Sequence, residues 1–333
     1  MKEVKLDNTD RSLLNLLQVN FPLSREPFAD LGLSLGLEEE EVIQRIMGLK
    51  EARIIRYIGP LFDSRSLGYQ STLVAMRVSE DRLEEAAQIV NEHLGVSHNY
   101  GRAGALNLWF TLTVPPGDDL ESELQTLANK VGPDQVLDLP AVRHFEIGVF
   151  FDMADNGPPV NFYNNSPKKP KGALQAVSTL SSSEKAVISE IQQDITLLSR
   201  PFDAMAEHVD MEVNEFLRCC RRLKERGVMR RFGASIKHKN AGFAANAMVC
   251  WRVPSSMVEE AGEIMSAFRE VSHYYERKTN RSWPYNVFTM IHGKTKEGLK
   301  RTIEIIAARS GIHEYEVLFT IREFKKERVK FRA

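Results

Sequence analysis

The chain opens with apolar residues spaced for one face of a helix, Leu13, Leu14, Leu16 and Leu17, with Asp7 or Thr9 placed to cap it. The pattern predicts a short helix near residues 28–33 and a longer one over 39–52. The turn Ser34-Leu35-Gly36-Leu37 sits where a helix-turn-helix turn belongs. Beyond these helices the pattern predicts strands over 71–78, 97–102, 107–114 and 142–151, with helices over 83–92 and 120–131. The last strand alternates: Phe145, Ile147, Val149 and Phe151 on one face, His144, Glu146 and Gly148 on the other. This strand-helix-strand-strand-helix-strand order is that of a ferredoxin-like domain.

The whole arrangement then recurs. Ser24-Arg25-Glu26-Pro27-Phe28 faces Ser199-Arg200-Pro201-Phe202, and Ile54-Ile55-Arg56-Tyr57-Ile58-Gly59 faces Val228-Met229-Arg230-Arg231-Phe232-Gly233. Val96-Ser97-His98 faces Val271-Ser272-His273, followed by Tyr100 and Arg102 against Tyr275 and Arg277. Asn286 faces Asn107 after a four-residue insertion in the second copy. The period is a domain pair, which is duplication and not a solenoid. Helices near 183–194, 202–208 and 212–226 open the second copy, the last closed by Gly227. The fold class expected is α+β, a tandem of a winged helix-turn-helix with a ferredoxin-like βαββαβ domain. Its boundaries are 1–56 and 57–154 for copy one, a Pro-, Asn-, Gly- and Lys-rich linker over 155–178, then 179–230 and 231–333 for copy two.

Composition narrows the class of function. Among 333 residues, 44 basic side chains balance 45 acidic ones for a net charge of -1, where a dedicated nucleic-acid binder shows a basic excess. Cys219, Cys220 and Cys250 offer no C-x-x-C pair for a metal or cluster, and their sparse, odd number suits a reducing cytosol. No segment has the run of about 18 apolar residues that a membrane span needs, so a cytoplasmic protein with no membrane partner is expected.

A winged helix-turn-helix joined to a ferredoxin-like domain resembles the Lrp/AsnC regulators, over nearly the whole of both copies. The recognition helix of copy one, however, begins Glu38-Glu39-Glu40-Glu41, and that of copy two carries Asp210, Glu212 and Glu215. Carboxylates there complement the helix dipole but repel phosphate. Arg218, Arg221, Arg222, Lys224 and Arg226 come later on that helix and read equally well as a solvated face. Sequence-specific DNA binding is not expected, and the helix-turn-helix reads as retained architecture.

The second copy holds the denser chemistry. Its run RRFGASIKHKNAGFAANAMVCWRVP is followed by VSHYYERKTNRSWPYNVFTMIHG. With HNY and NLWFTLTV in copy one, these stretches closely resemble the siroheme decarboxylases, paired Lrp-like enzymes of alternative heme and heme d1 synthesis. RRFGA, H-x-x-x-G-F, W-x-V-P, H-x-Y-x-R and W-P-Y-N occur together and in order. The resemblance implies two homologous subunits fused in one chain, so that the pairing expected is either a pseudo-dimer within the chain or a homo-oligomer of it. It implies removal of two acetate carboxyls from siroheme to give 12,18-didecarboxysiroheme, with no cofactor beyond the iron the substrate carries. The alternative is a tetrapyrrole- or metabolite-sensing regulator.

A flat polyanionic macrocycle needs cationic forks for its carboxylates and apolar walls. Arg230, Arg231, Lys237, Arg277 and Arg281, with Tyr100 and Arg102 in copy one, are the binding candidates. Trp251, Tyr274, Tyr275, Trp283 and Tyr285 are the candidate walls. Decarboxylation ends in proton delivery, for which histidine is suited near neutral pH. His273 is the first candidate, His98 its counterpart and His238 a third; His273 could instead ligate the substrate's iron, and any of the three could be structural. His208 and His313 lack a motif partner and read as structural. Copy one has a shorter loop, Arg102-Ala103-Gly104-Ala105-Leu106, and Tyr57 in place of Arg231. It reads as a supporting half, although one acetate could also be removed by each copy.

Overall fold

Helix α1 (Asn8–Val19) starts on a reciprocal cap. The Asp10 amide donates to the Asp7 carboxylate at 2.6 Å and the Asp7 amide to that of Asp10 at 3.2 Å. Pro27 opens α2 (Pro27–Leu35), and Gly36 closes it with φ 69°, the left-handed conformation a helix stop favours. Then come α3 (Glu39–Glu51), β1 (Ile55–Phe62), β2 (Gln70–Arg77), α4 (Leu83–Glu92), β3 (Val96–Arg102), β4 (Leu108–Val114), α5 (Leu120–Val131) and β5 (Gln135–Phe145). Copy two repeats the order as α6 (Ser182–Ile191), α7 (Pro201–Glu207), α8 (Val213–Glu225), β6 (Met229–Ile236), β7 (Ala245–Trp251), α9 (Val258–Ser266), β8 (Val271–Arg277), β9 (Val287–Gly293), α10 (Lys296–Ser310) and β10 (Tyr315–Lys326). The computed structural model describes residues 6–19, 21–145, 179–237, 245–268, 270–280 and 282–332.

The described residues fall into two units. The first comprises residues 6–68, 179–237 and 330–332. Here the two helix-turn-helix copies share a two-stranded antiparallel ribbon, β1 with β6, in which Gly59 faces Gly233. Phe21 packs on Phe28 and Phe232, and Phe232 on Phe202, so the phenylalanines of both SR(E)PF segments and of RRFGA are core. A Cβ at Gly233 would lie 2.5 Å from the Leu17 carbonyl oxygen, which explains the glycine of RRFGA as a close approach of α1 to β6. The domain boundaries expected after residues 56 and 230 fall inside β1 and β6, and both wing strands lie whole within this helical unit.

The second unit, residues 69–145 and 245–329, closes an eight-stranded barrel in the order β10-β3-β4-β2-β5-β8-β9-β7. Each copy contributes a four-stranded ferredoxin-like sheet, and two seams join them: β5 with β8 and β10 with β3. Helix-facing positions form one core per copy, and the opposite faces meet in a third that includes Ala75, Trp109, Leu137, Leu139, Cys250, Trp283 and Phe288. The strand expected over 142–151 runs instead from Gln135 to Phe145; the expected positions 146–151 lie outside the described residues. Pro140 argues from sequence against a strand here. It stands where β5 changes partners: pairing with β2 ends at Pro140 and pairing with β8 begins at Ala141, so no continuous ladder is interrupted. Among the described residues no helix is long and apolar enough to cross a membrane.

Candidate active site

The repeat extends to side-chain hydrogen bonds. Asn107 Oδ1 accepts from the Val78 amide at 3.0 Å and its Nδ2 donates to the Val78 carbonyl at 2.7 Å; Asn286 makes the same pair with Val253 at 2.8 and 2.9 Å. These clasps fix the ends of β4 and β9, so the extra residues of copy two are confined to the loop between β8 and β9.

Both β3 and β8 carry a bulge near their start, between Val96 and His98 and between Val271 and His273. Such a bulge re-aims the side chains beyond it. Asn99 and Tyr274 turn toward their own helices, Asn99 donating to the Ala87 carbonyl and Tyr274 to that of Val258. The alternate positions His98, Tyr100, Arg102 and His273, Tyr275, Arg277 share the opposite face. His98 and Tyr100 have ring centroids 6.3 Å apart, His273 and Tyr275 6.1 Å in a stacked pair. Arg102 lies 5.2 Å above Tyr100, and Arg277 lies 4.8 Å above Tyr275.

The two arginines then cross the seams. Arg102 Nη1 donates to the Leu318 carbonyl at 3.2 Å and to Thr320 Oγ1 at 3.0 Å, and Arg277 Nη1 donates to the Leu139 carbonyl at 2.7 Å. Each copy thus grips the last strand of the other. Arg102 is only 4% exposed, and burial pulls its guanidinium down to about 10. Its Nη1 bonds are spent on the seam, whereas Arg277, the binding candidate of copy two, is half-buried.

His98 and His273 are half-buried, and each places Nδ1 2.9 Å from the hydroxyl of the serine before it, Ser97 or Ser272. In copy two Ser272 Oγ also lies 2.8 Å from His292 Nε2 and 3.3 Å from the Met290 carbonyl oxygen. The loop after β8 brings Trp283 into the barrel, 5.6 Å from Trp109 and 5.1 Å from Tyr285. Glu316, in the same region, has its carboxyl raised by burial.

Other expected site residues stand on other elements or on the other face of β8. Trp251 is fully buried in the helix-facing core of copy two, its indole N–H donating to Thr289 Oγ1 at 2.9 Å; it is not part of the His-Tyr-Arg face. Tyr274 belongs to the same core, because β8 alternates. Arg230, Arg231 and Lys237 stand on or just after β6 in the helical unit. Arg230 pairs with the Asp63 carboxylate and Arg231 donates to the Gln18 carbonyl at 2.7 Å. Burial opposes ionisation of Asp63, yet the Arg230 charge and the hydrogen bonds of Arg230 and Ser66 outweigh it and hold the carboxyl below its ordinary range. His238 and Arg281 lie outside the described residues. His292 and Asp63 carried no sequence signal of their own; setting β4 against β9 finds His292, because Thr113 occupies its place in copy one. The three cysteines are buried and unbridged, with burial raising each thiol.

A barrel of two paired ligand-binding domains, closed by two strand seams that reciprocal arginines cross and carrying His-x-Tyr-x-Arg on a strand of each, defines a fused two-copy protein built on the Lrp/AsnC plan. Residues 66–146 and 240–325 match the AsnC-like ligand binding domain, and residues 10–56 and 184–230 match the siroheme decarboxylase NirDL-like HTH domain. The siroheme decarboxylase of Hydrogenobacter thermophilus is 39% identical over 330 residues, 98% of this chain and 96% of that protein. The alpha subunit of siroheme decarboxylase from Desulfovibrio desulfuricans, 43% identical, aligns 85% of its length with 44% of this chain, as one copy of a fused pair should. The crystal structure of the siroheme decarboxylase NirDL in co-complex with an iron-uroporphyrin III analogue superposes with a TM-score of 0.73 at 36% identity, covering 98% of this chain and 95% of that one. The chain belongs to the siroheme decarboxylase family.

Proposed function

We propose that this chain removes two acetate carboxyl groups from siroheme to give 12,18-didecarboxysiroheme, a carbon-carbon lyase reaction that feeds heme or heme d1 formation. The observation that carries this reading is the paired His-x-Tyr-x-Arg face on β3 and β8, within a chain related along its whole length to siroheme decarboxylases. A polyanionic macrocycle with iron already in place asks the protein for binding, orientation and a proton, and the reading needs no organic cofactor.

At each acetate the bond between methylene and carboxylate breaks, carbon dioxide leaves, and the electron pair delocalises from the methylene into the pyrrole. A proton then completes the methyl group, and the reaction is redox-neutral. His273 is assigned as the donor because it is reachable from solvent while its Nδ1 is anchored by Ser272. Tyr275 gives a stacked wall beside it, and the half-buried Arg277 supplies positive charge at the end of the face. An acetate held against these groups loses part of its hydration, which favours departure of the neutral product. In this reading the pseudo-dimer is internal to the chain. Anaerobic incubation of purified protein with siroheme, followed by mass spectrometry, should show the loss of two carbon dioxide units; an unchanged substrate mass refutes the assignment.

A further inference from the structure

The two copies present the same histidine on the same bulged strand but support it differently. In copy one the Ser97 hydroxyl approaches His98 Nδ1, and the neighbouring strand position on β4 is Thr113. In copy two that position is His292, and Ser272 stands between two imidazoles, 2.9 Å from His273 Nδ1 and 2.8 Å from His292 Nε2, with the Met290 carbonyl oxygen at 3.3 Å. The equivalence of Thr113 and His292 is fixed by the backbone: the Thr113 amide donates to the Gly95 carbonyl and the His292 amide to that of Glu270, both at 2.9 Å.

A serine hydroxyl has one proton to give and two lone pairs to accept with. The Met290 carbonyl can only accept. All three contacts are hydrogen bonds at once in a single arrangement: Ser272 donates to Met290, and both rings donate to Ser272. His273 then keeps a hydrogen on Nδ1, and Nε2, the nitrogen remote from Ser272, is the one that exchanges a proton. Without a second imidazole, the serine of copy one has its proton available for His98 Nδ1, which would place the ring hydrogen on the other nitrogen. A partner on one ring nitrogen fixes the tautomer and orientation of the other.

We infer that His292 is a positioning residue that acts through Ser272 to hold His273 with its hydrogen on Nδ1, and that this lock makes copy two the half that delivers the proton. The inference rests on the assignment of His273 as proton donor. Ring-nitrogen NMR of histidine-labelled protein, with the His273 signals assigned by their loss in His273→Ala, reads the lock without any turnover. The wild-type His273 ring should be in the Nδ1–H form, and His292→Thr, which installs the copy-one residue and leaves the Met290 carbonyl as the one remaining support of that arrangement, should weaken the preference. In the siroheme assay His292→Thr should lower kcat about 10- to 100-fold, the usual effect of removing such a support, with KM little changed. His292→Gln, whose amide N–H can still donate to Ser272, should recover most of the loss. An unchanged ring signature and unchanged kcat in His292→Thr overturn the inference, as does a wild-type His273 ring with its hydrogen on Nε2. If the lock is seen but His273→Ala turns over normally, the donor assignment fails, and with it the catalytic half of the inference.

Discussion

Arg102 allows the closure of the barrel to be tested by two exchanges, Arg102→Met and Arg102→Lys. The guanidinium is 4% exposed and pairs with no carboxylate among the described residues. A fall from 12.5 to about 10 corresponds to roughly 3 kcal/mol held against the folded state. For a base the sign is fixed: the penalty is full at every pH below the folded value and disappears only above the unfolded one. Opposing it are two charge-assisted hydrogen bonds, to the Leu318 carbonyl and Thr320 Oγ1, worth about 1.5–3 kcal/mol each, and the stack on Tyr100, about 1 kcal/mol. The surplus is therefore about 1–4 kcal/mol.

Methionine removes the gains and the buried charge together, and Thr320 Oγ1 keeps its bond to Asn246. Arg102→Met should cost about 2 kcal/mol. Lysine keeps a compact charge in the same place with fewer donors and no planar stack. Arg102→Lys should cost about 3 kcal/mol or more at pH 7, and its deficit should shrink as pH rises toward 10, because a buried lysine escapes by losing its proton. All three tryptophans, Trp109, Trp251 and Trp283, lie in the barrel unit, so indole fluorescence during urea unfolding reports that unit. A lysine variant as stable as wild type, with the methionine variant several kcal/mol weaker, would falsify the account of Arg102 as a costly but net-favourable clasp.

Other outcomes follow from the same structure. His273→Ala should lower kcat by about 10²-fold or more, the contribution of a positioned acid, and His98→Ala by no more than about tenfold; equal losses in an anaerobic siroheme assay would mean that both copies act. Asp63→Asn should cost about 2 kcal/mol in thermal or urea unfolding at pH 7, since it leaves Arg230 without its carboxylate. Because the folded Asp63 carboxyl titrates below its ordinary value of 3.8, this support is present above about pH 4 and fades as pH falls through the folded value, so the variant and wild type should converge in acid. Ser181→Ala should cost about 1 kcal/mol, because Ser181 and Glu184 form a reciprocal cap on α6 at 3.2 and 3.0 Å. A gel-shift titration should find no sequence-specific duplex binding: Glu39 and Glu41 at the start of α3 are held by Ser199 and Arg45, and among the basic residues of copy two Arg221 and Arg226 are already tied to Leu23 and Glu184.

The duplication and most helices were legible in sequence because they rest on local periods and caps, and α5 falls at its expected bounds. The wing strands were not separable from the ferredoxin-like domains, because β1 and β6 find each other across more than half the chain. Trp251 read from sequence as either core or pocket wall, and the choice between them is made by the pairing of β7 with β9 and β10, which sets the side it faces. H-x-Y-x-R entered as a motif, and the strand alternation that puts its three residues on one face is seen in the structure; the burial of Arg102 depends on Leu318 and Thr320 of the other copy, which no local pattern encodes.

That dependence changes what the repeat says about activity. A motif kept in both copies invites the conclusion that both are active, but Tyr100 and Arg102 have an architectural reason to persist: without Arg102 one of the two seams loses its grip, whatever copy one does chemically. Retention of the motif in copy one is therefore not a measure of catalysis there. Differences between the halves are the informative positions, since symmetry does not require them. His292 against Thr113, the longer loop carrying Trp283 and Tyr285, and Glu316 all fall in copy two, and His292 reaches His273 through a single hydroxyl. The barrel accounts for what the halves share. The proton is to be sought where they differ.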